Sequence, residues 1–182
     1  AGSRYELAAL VSAATVVDAQ IKDATPNERA ALYPQAHEVY SRLANRLGTS
    51  PDVIAKQKNA RVAQSKRAYY AVQLGRHAEA AAALDTLLAA FPKDRDYLRR
   101  AALAHFHAGQ FEPSLSHWNT LLRGLPAGEE EWMEAKYHQL ACLAKADPSA
   151  AAKVYQQFKL LYPAQGGAEW KERFEKLAER LK

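Results

Sequence analysis

Apolar side chains recur along most of the chain every three or four residues, which is the spacing that puts them on one face of an α-helix. Early in the chain the repeating positions are Ala36, Tyr40, Leu43 and Leu47. The last segment repeats the pattern in an otherwise charged stretch, at Trp170, Phe174, Leu177 and Leu181. The pattern predicts a protein built from amphipathic helices that each bury one stripe.

Local signals near the start of the chain predict where the first two helices begin and end. The first helix is predicted over residues 5–22. Thr25 and Glu28 have the spacing of a capping box, and a proline between them occupies the first helical position. A second helix should therefore begin here and end before Gly48, because glycine suits the C-cap of a helix.

Prolines shape the expectations for the rest of this region. Pro34 lies inside the predicted second helix and is expected to kink or split it, because proline removes a helical hydrogen bond. Ser50 and Pro51 are a further N-cap and first-turn pair, and they predict a third helix over about residues 51–74. Residues 1–60 show no repeat and are predicted to form an irregular helical segment.

A five-position pattern occurs three times in the middle of the chain. The turn residues from which it is counted are Gly75, Gly109 and Ala146, so the spacings are 34 and 37 residues. After each turn the pattern holds one small residue, three large residues and a proline: Ala80, Leu84, Leu87, Phe91 and Pro92, then Ser114, Trp118, Leu121, Leu125 and Pro126, then Ala151, Tyr155, Phe158, Tyr162 and Pro163.

Each position of this pattern has a structural reason. Glycine accepts the left-handed conformation in which helices often end. The small residue lets two helices approach closely, and the large residues share one face and fill the space between helices. Proline ends the second helix, because the residue before it avoids the helical conformation. The pattern predicts three helical hairpins, at residues 61–94, 95–128 and 129–165.

The segments that carry the pattern resemble tetratricopeptide (TPR) repeats over about residues 61–163. They read AYYAVQLGRHAEAAAALDTLLAAFPKD, ALAHFHAGQFEPSLSHWNTLLRGLP and CLAKADPSAAAKVYQQFKLLYP. The spacing of 34 residues is the length of the TPR unit. The resemblance implies an all-α fold, a right-handed helical solenoid of helix–turn–helix units with a concave face that binds peptides.

The C-terminal segment, residues 167–182, is predicted to be a capping helix. Its single apolar stripe and charged remainder suit a helix that closes a solenoid, because the last repeat would otherwise expose an apolar face. The predicted organisation is therefore an N-terminal segment over residues 1–60, which packs on a solenoid of three repeats and a cap over residues 61–182.

The composition agrees with a helical and soluble protein. The chain holds 38 alanines but only 10 valines and isoleucines together, a ratio that favours helices over strands. Hydrophobic residues make up 48%, which is too many for a disordered chain, and no apolar run reaches the roughly 18 residues that cross a membrane. The first residue is not a methionine, so the chain is expected to be part of a longer protein. The sequence predicts no cellular location.

The sequence shows no pattern of residues that is typical of an enzyme. A single cysteine, Cys142, excludes a disulfide within the chain, and its predicted buried position is typical of a structural thiol. His105 and His107 are two residues apart and so lie on different faces of a helix, and no paired carboxylate completes a metal site. The chain also lacks the nucleotide-binding and hydrolase motifs. We expect no enzymatic activity, no cofactor and no metal.

One face of the predicted first helices is the candidate binding surface. It mixes cations with aromatic and aliphatic side chains, a combination that protein-binding surfaces favour. In the family that the chain resembles, this face lines the concave groove. The predicted partner-binding residues are Lys66, Tyr69, Arg99, Arg100, Leu103, Phe106, His107, Lys136 and Tyr137. The expected partner is a protein or peptide with acidic and apolar side chains.

Other functions remain open at this point. The chain could be a structural or oligomerisation module of a larger assembly, such as one in a cell envelope, or an accessory domain of an enzyme that lies outside it. Residues 61–126 carry nine basic and five acidic side chains, and the sequence pI is 9.3, which would allow RNA binding. The chain lacks an RNA-binding motif, so we expect no nucleic-acid partner.

Overall fold

The computed structural model describes residues 4–179, which form ten α-helices and no strand. The predicted all-α class is therefore confirmed. The helices are α1 (Arg4–Asp23), α2 (Pro26–Leu47), α3 (Pro51–Lys56), α4 (Lys58–Gln73), α5 (His77–Ala90), α6 (Arg95–His107), α7 (Phe111–Arg123), α8 (Glu130–Ala146), α9 (Pro148–Leu161) and α10 (Ala168–Glu179).

The chain divides into two compact units, which we describe separately. Unit 1 is Ala1–Tyr97 and unit 2 is Leu98–Lys182, so the boundary falls inside α6. The division of the sequence at residue 60 and the solenoid arrangement stay predictions. No helix between Arg4 and Glu179 combines the length and the apolar character that crossing a lipid bilayer requires.

The predicted caps of α2 are present. The backbone N–H of Thr25 donates to Glu28 Oε2 at 2.8 Å, and Gly48 ends the helix with a φ of 102°. The helix continues through Pro34 and is not split there. Pro34 and Ala30 are both exposed, so the carbonyl that lacks an N–H partner is open to water.

The predicted third helix, residues 51–74, is in fact two helices. Gln57 is extended, with φ −112° and ψ 106°, and separates α3 from α4. Neither glycine nor proline marks this break in the sequence. It allows the short α3 to bury Ile54 completely while α3 packs against both α4 and α5. Tertiary packing thus interrupts a segment whose local propensity is helical throughout.

The core of unit 1 lies between α1, α2 and α4. Small residues allow these helices to approach closely, and tyrosines fill the larger spaces. Its buried members are Leu10, Ala14, Val17, Ala36, Tyr40, Leu43, Ala44, Ala63 and Tyr70.

Unit 2 shows the predicted pattern of small and large residues in its core. Ser114 is completely buried and its hydroxyl donates to the carbonyl of Ala102, which ties α7 to α6. Trp118 on α7, Phe158 on α9 and Phe174 on α10 are buried. Trp170, Phe174 and Leu177 confirm the apolar stripe of the last helix, while Leu181 lies outside the described residues.

Candidate functional site

The predicted binding residues fall in both units. Lys66 and Tyr69 lie on α4 in unit 1, whereas the other seven lie on α6 and α8 in unit 2. Each group is therefore described within its own unit.

In unit 1, Lys66 belongs to a polar network around the half-buried carboxylate of Asp18. Its ammonium lies 3.3 Å from Asp18 and stands over the rings of Tyr40 and Tyr70, at 5.8 and 5.9 Å from their centroids. Asp18 also accepts hydrogen bonds from the Tyr40 hydroxyl at 2.7 Å and from the Tyr70 hydroxyl at 3.2 Å. Burial, together with Asp18, raises the pKa of both tyrosines. Lys66 thus interacts with α1 and α2 rather than standing free.

Tyr69 lies on the solvent side of α4 and is 44% exposed. Val62 and Val72 are exposed on the same helix. Partial burial raises the pKa of Tyr69, and a contact with Tyr33 adds to this effect. The Lys66 side chain is 40% exposed, so both predicted residues of unit 1 reach the surface.

In unit 2, the predicted residues on α6 have mixed environments. Arg99 forms an ion pair with Glu134 of α8. Arg100 and Leu103 are half-buried. Phe106 is half-buried and packs edge-on against Phe111 at 5.6 Å. His107 is exposed and lies 5.7 Å from the Phe106 ring.

Lys136 on α8 takes part in a hydrogen-bonded chain that leads to α7. Its ammonium donates to Gln139 Oε1 at 2.7 Å, and Gln139 Nε2 donates to Asn119 Oδ1 at 2.6 Å. The ammonium also stands 5.5 Å from the ring centroid of Trp132. Burial lowers the pKa of Lys136. Gln139 thus connects Lys136 of α8 to Asn119 of α7.

Tyr137 is covered in part by the last helix. The Arg173 guanidinium lies 4.8 Å from the Tyr137 ring centroid and 4.1 Å from that of Trp170. Phe174 packs edge-on against Tyr137 at 5.7 Å. The Trp170 indole N–H donates to the carboxylate of Glu130 at 2.9 Å, which anchors α10 to the start of α8.

A cleft of about 330 Å³ opens between α6, α8 and α10. Its lining is Phe106, Tyr137, His138, Ala141, Ala144, Lys145 and Leu177. The cleft brings together two of the predicted residues, Phe106 and Tyr137. The prediction missed His138 and Lys145, which lie off the chosen helical face, and Leu177, whose apolar spacing indicated only a capping role.

The electrostatics of the cleft are simple. His138 is half-buried, and burial lowers its pKa to about 4, although Glu134 nearby acts in the opposite direction. Its imidazole is therefore neutral near pH 7. Lys145 is exposed and forms no ion pair with any of residues 4–179. Among the described lining residues Lys145 is the one that carries a charge, and the Arg173 guanidinium on the Tyr137 ring adds a second cation beside the cleft.

A second hollow in unit 2, of about 360 Å³, lies between α9 and α10. Its lining includes Lys159, Glu175 and Glu179, so the hollow carries charges of both signs.

Cys142 is fully buried next to Ser114, with the thiol sulfur 3.1 Å from the hydroxyl oxygen. Burial raises the pKa of its thiol to about 11, so the thiol is protonated near neutral pH. This is the environment of a structural cysteine, because the thiolate is the reactive form.

The cleft of unit 2 is lined mainly by apolar groups. Two aromatic rings and a leucine form its sides, and two alanines leave space between them.

The chain matches no protein-family model, and it matches no curated protein.

Proposed function

We propose that this protein is a non-enzymatic protein–protein interaction module, built from TPR-like hairpins, that binds a partner segment on the face formed by α6 and α8. The single observation that carries the proposal is the cleft of unit 2. Phe106 and Tyr137 were selected by their positions relative to the hairpin turns, and both line this cleft.

General features of binding sites support the proposal. Ligand sites are usually concave, mostly apolar and equipped with a few polar groups. Aromatic residues and arginine are enriched at protein interfaces. The cleft has two aromatic walls, and its volume of about 330 Å³ falls within the range of about 300–1,000 Å³ that is usual for ligand pockets.

The test is selection of binding peptides from a displayed random dodecapeptide library with the full chain as bait. We expect enriched peptides to bind wild type and to lose affinity on Phe106→Ala, because the substitution removes one wall of the cleft. Tyr5→Ala is the matched control, since Tyr5 is 87% exposed on α1 and lies in unit 1. Peptides that bind both variants equally well would contradict the proposal, provided that thermal melts show Phe106→Ala to be folded.

A structural or oligomerisation role is the second candidate, and one observation favours it. Leu160 and Leu161 at the end of α9 are 82% and 74% exposed, which is unusual for adjacent leucines. If this role is correct, sedimentation velocity will show self-association that the double substitution of both leucines by serine removes. A monomer at all accessible concentrations would exclude self-association through α9.

A further inference from the structure

We propose that the cleft of unit 2 holds one bulky apolar side chain of the partner, and that Lys145 pairs with an acidic side chain next to it in the partner's sequence. This inference rests on the proposed function and specifies the chemistry of the bound segment.

The shape of the cleft indicates a single large side chain. Ala141 and Ala144 are three residues apart on α8 and leave the space between the walls open. Phe106 and Leu177 approach from α6 and α10. A volume of about 330 Å³ is at the lower end of the range of about 300–1,000 Å³ for ligand pockets, so it suits a side chain better than an extended cofactor.

The charge around the cleft indicates an acidic neighbour for this side chain. Lys145 lines the cleft and forms no ion pair with any of residues 4–179. The remaining lining residues carry no charge near neutral pH, because burial keeps His138 neutral. A carboxylate at this edge would meet the Lys145 cation and no acidic side chain among the seven described lining residues, which favours specificity and association rate.

The carboxylate is expected to come from an aspartate or glutamate rather than from a chain terminus. Sites for a terminal carboxylate use backbone N–H groups that point at the ligand. All seven lining residues lie beyond the first four positions of their helices, so their N–H groups are bonded within the helix. The cleft therefore offers a side-chain ammonium and no free backbone donors.

The experiment compares peptide selection by four forms of the full chain, again with the random dodecapeptide library. Wild type should enrich a bulky apolar residue adjacent to aspartate or glutamate. Lys145→Glu should keep the apolar residue but replace the acidic neighbour by lysine or arginine. Lys153→Glu, which reverses an exposed charge on α9 away from the cleft, should select the same peptides as wild type.

Ala141→Leu tests whether the apolar residue occupies the cleft. The added side chain fills the space, so wild-type peptides should bind this variant about tenfold or more weakly, equivalent to about 1.4 kcal/mol. If Ala141→Leu lowers the melting temperature strongly, Ala144→Leu fills the same cleft from the next turn of α8 and replaces it.

The outcomes separate this inference from the proposed function. Peptides that need an open cleft but show no acidic preference, or no change of preference with Lys145→Glu, would overturn the inference and leave the interaction module in place. Peptides with a free C-terminal carboxylate as the essential group would overturn the choice of an acidic side chain. If blocking the cleft affects no selected peptide, both proposals are wrong.

Discussion

His138 stacks face to face on Trp118, with ring centroids 4.8 Å apart and ring planes 10° from parallel. Trp118 is 1% exposed on α7, while His138 on α8 also lines the cleft. The pair thus connects the core of unit 2 to the candidate site. Substitutions at the two residues therefore test how this contact stabilises unit 2.

Trp118→Ala should destabilise the protein by about 3–5 kcal/mol, because it removes a completely buried aromatic side chain and leaves a cavity. Trp118→Phe is the matched control. It keeps a ring against His138 and removes an indole N–H that has no hydrogen-bond partner within the described residues, so its cost should be smaller. Urea denaturation followed by circular dichroism measures both. If Trp118→Ala and Trp118→Phe lowered the free energy of unfolding equally, the aromatic ring that Trp118→Phe retains would contribute nothing to stability.

The folded protein should lose stability as the pH falls from about 6.5 to about 4, in part through His138. Burial lowers its pKa in the folded state to about 4, whereas an unfolded imidazole has a pKa near 6.5. The unfolded chain therefore binds the proton more readily over this range. The stabilising contribution of the neutral His138 is present in full only above about pH 6.5.

His138→Phe isolates this effect, because it keeps an aromatic ring on Trp118 and removes the titrating group. Below pH 6.5 the wild type should lose up to about 1.4 kcal/mol per pH unit more than the variant. Free energies of unfolding at a series of pH values provide the comparison. Parallel curves for the two proteins would show that His138 does not titrate as the structure indicates.

Asp18→Asn should destabilise unit 1 by about 2 kcal/mol, because it weakens the hydrogen bonds from two tyrosines and leaves Lys66 without its ion pair. Asp23→Asn, at the exposed end of the same helix, is the control and should change stability by less than about 0.5 kcal/mol. Chemical denaturation of both variants measures the difference. An equal loss of stability in both variants would mean that removing a negative charge from α1 causes the effect, and not the loss of the Asp18 hydrogen bonds.

Gly166→Ala should cost more than Gly167→Ala in the turn before α10. Both glycines have positive φ, 79° and 106°, so both substitutions strain the backbone. Only at Gly166 would the new Cβ meet a neighbour, Met133 Cγ at 2.8 Å. We expect a difference of about 1 kcal/mol, within the range for overpacking of about 1–3 kcal/mol, in thermal or urea unfolding. Equal costs would show that Met133 moves aside freely.

Much of the secondary structure could be predicted from the sequence, because caps and turns depend on residues close together in the chain. The helices turn at Gly75 and Gly109 with φ of 69° and 75°, at the positions that the repeat predicted. The break at Gln57 could not be predicted, because no local signal marks it and the packing of α3 imposes it. The sequence left open a kink or a split at Pro34; the structure shows no split, and the carbonyl that loses its N–H partner belongs to the exposed Ala30.

The candidate site depended more on tertiary structure. The sequence by itself determined which residues share a helical face, and so it selected Phe106 and Tyr137. It assigned Lys66 to a binding surface as well, and folding places Asp18 of α1 3.3 Å from its ammonium, a contact that the spacing along α4 does not show. It did not select Lys145, which becomes part of the cleft only when α6 and α10 lie beside α8. The partners of a charged side chain come from distant segments, so helical spacing alone cannot show which cations remain available for binding.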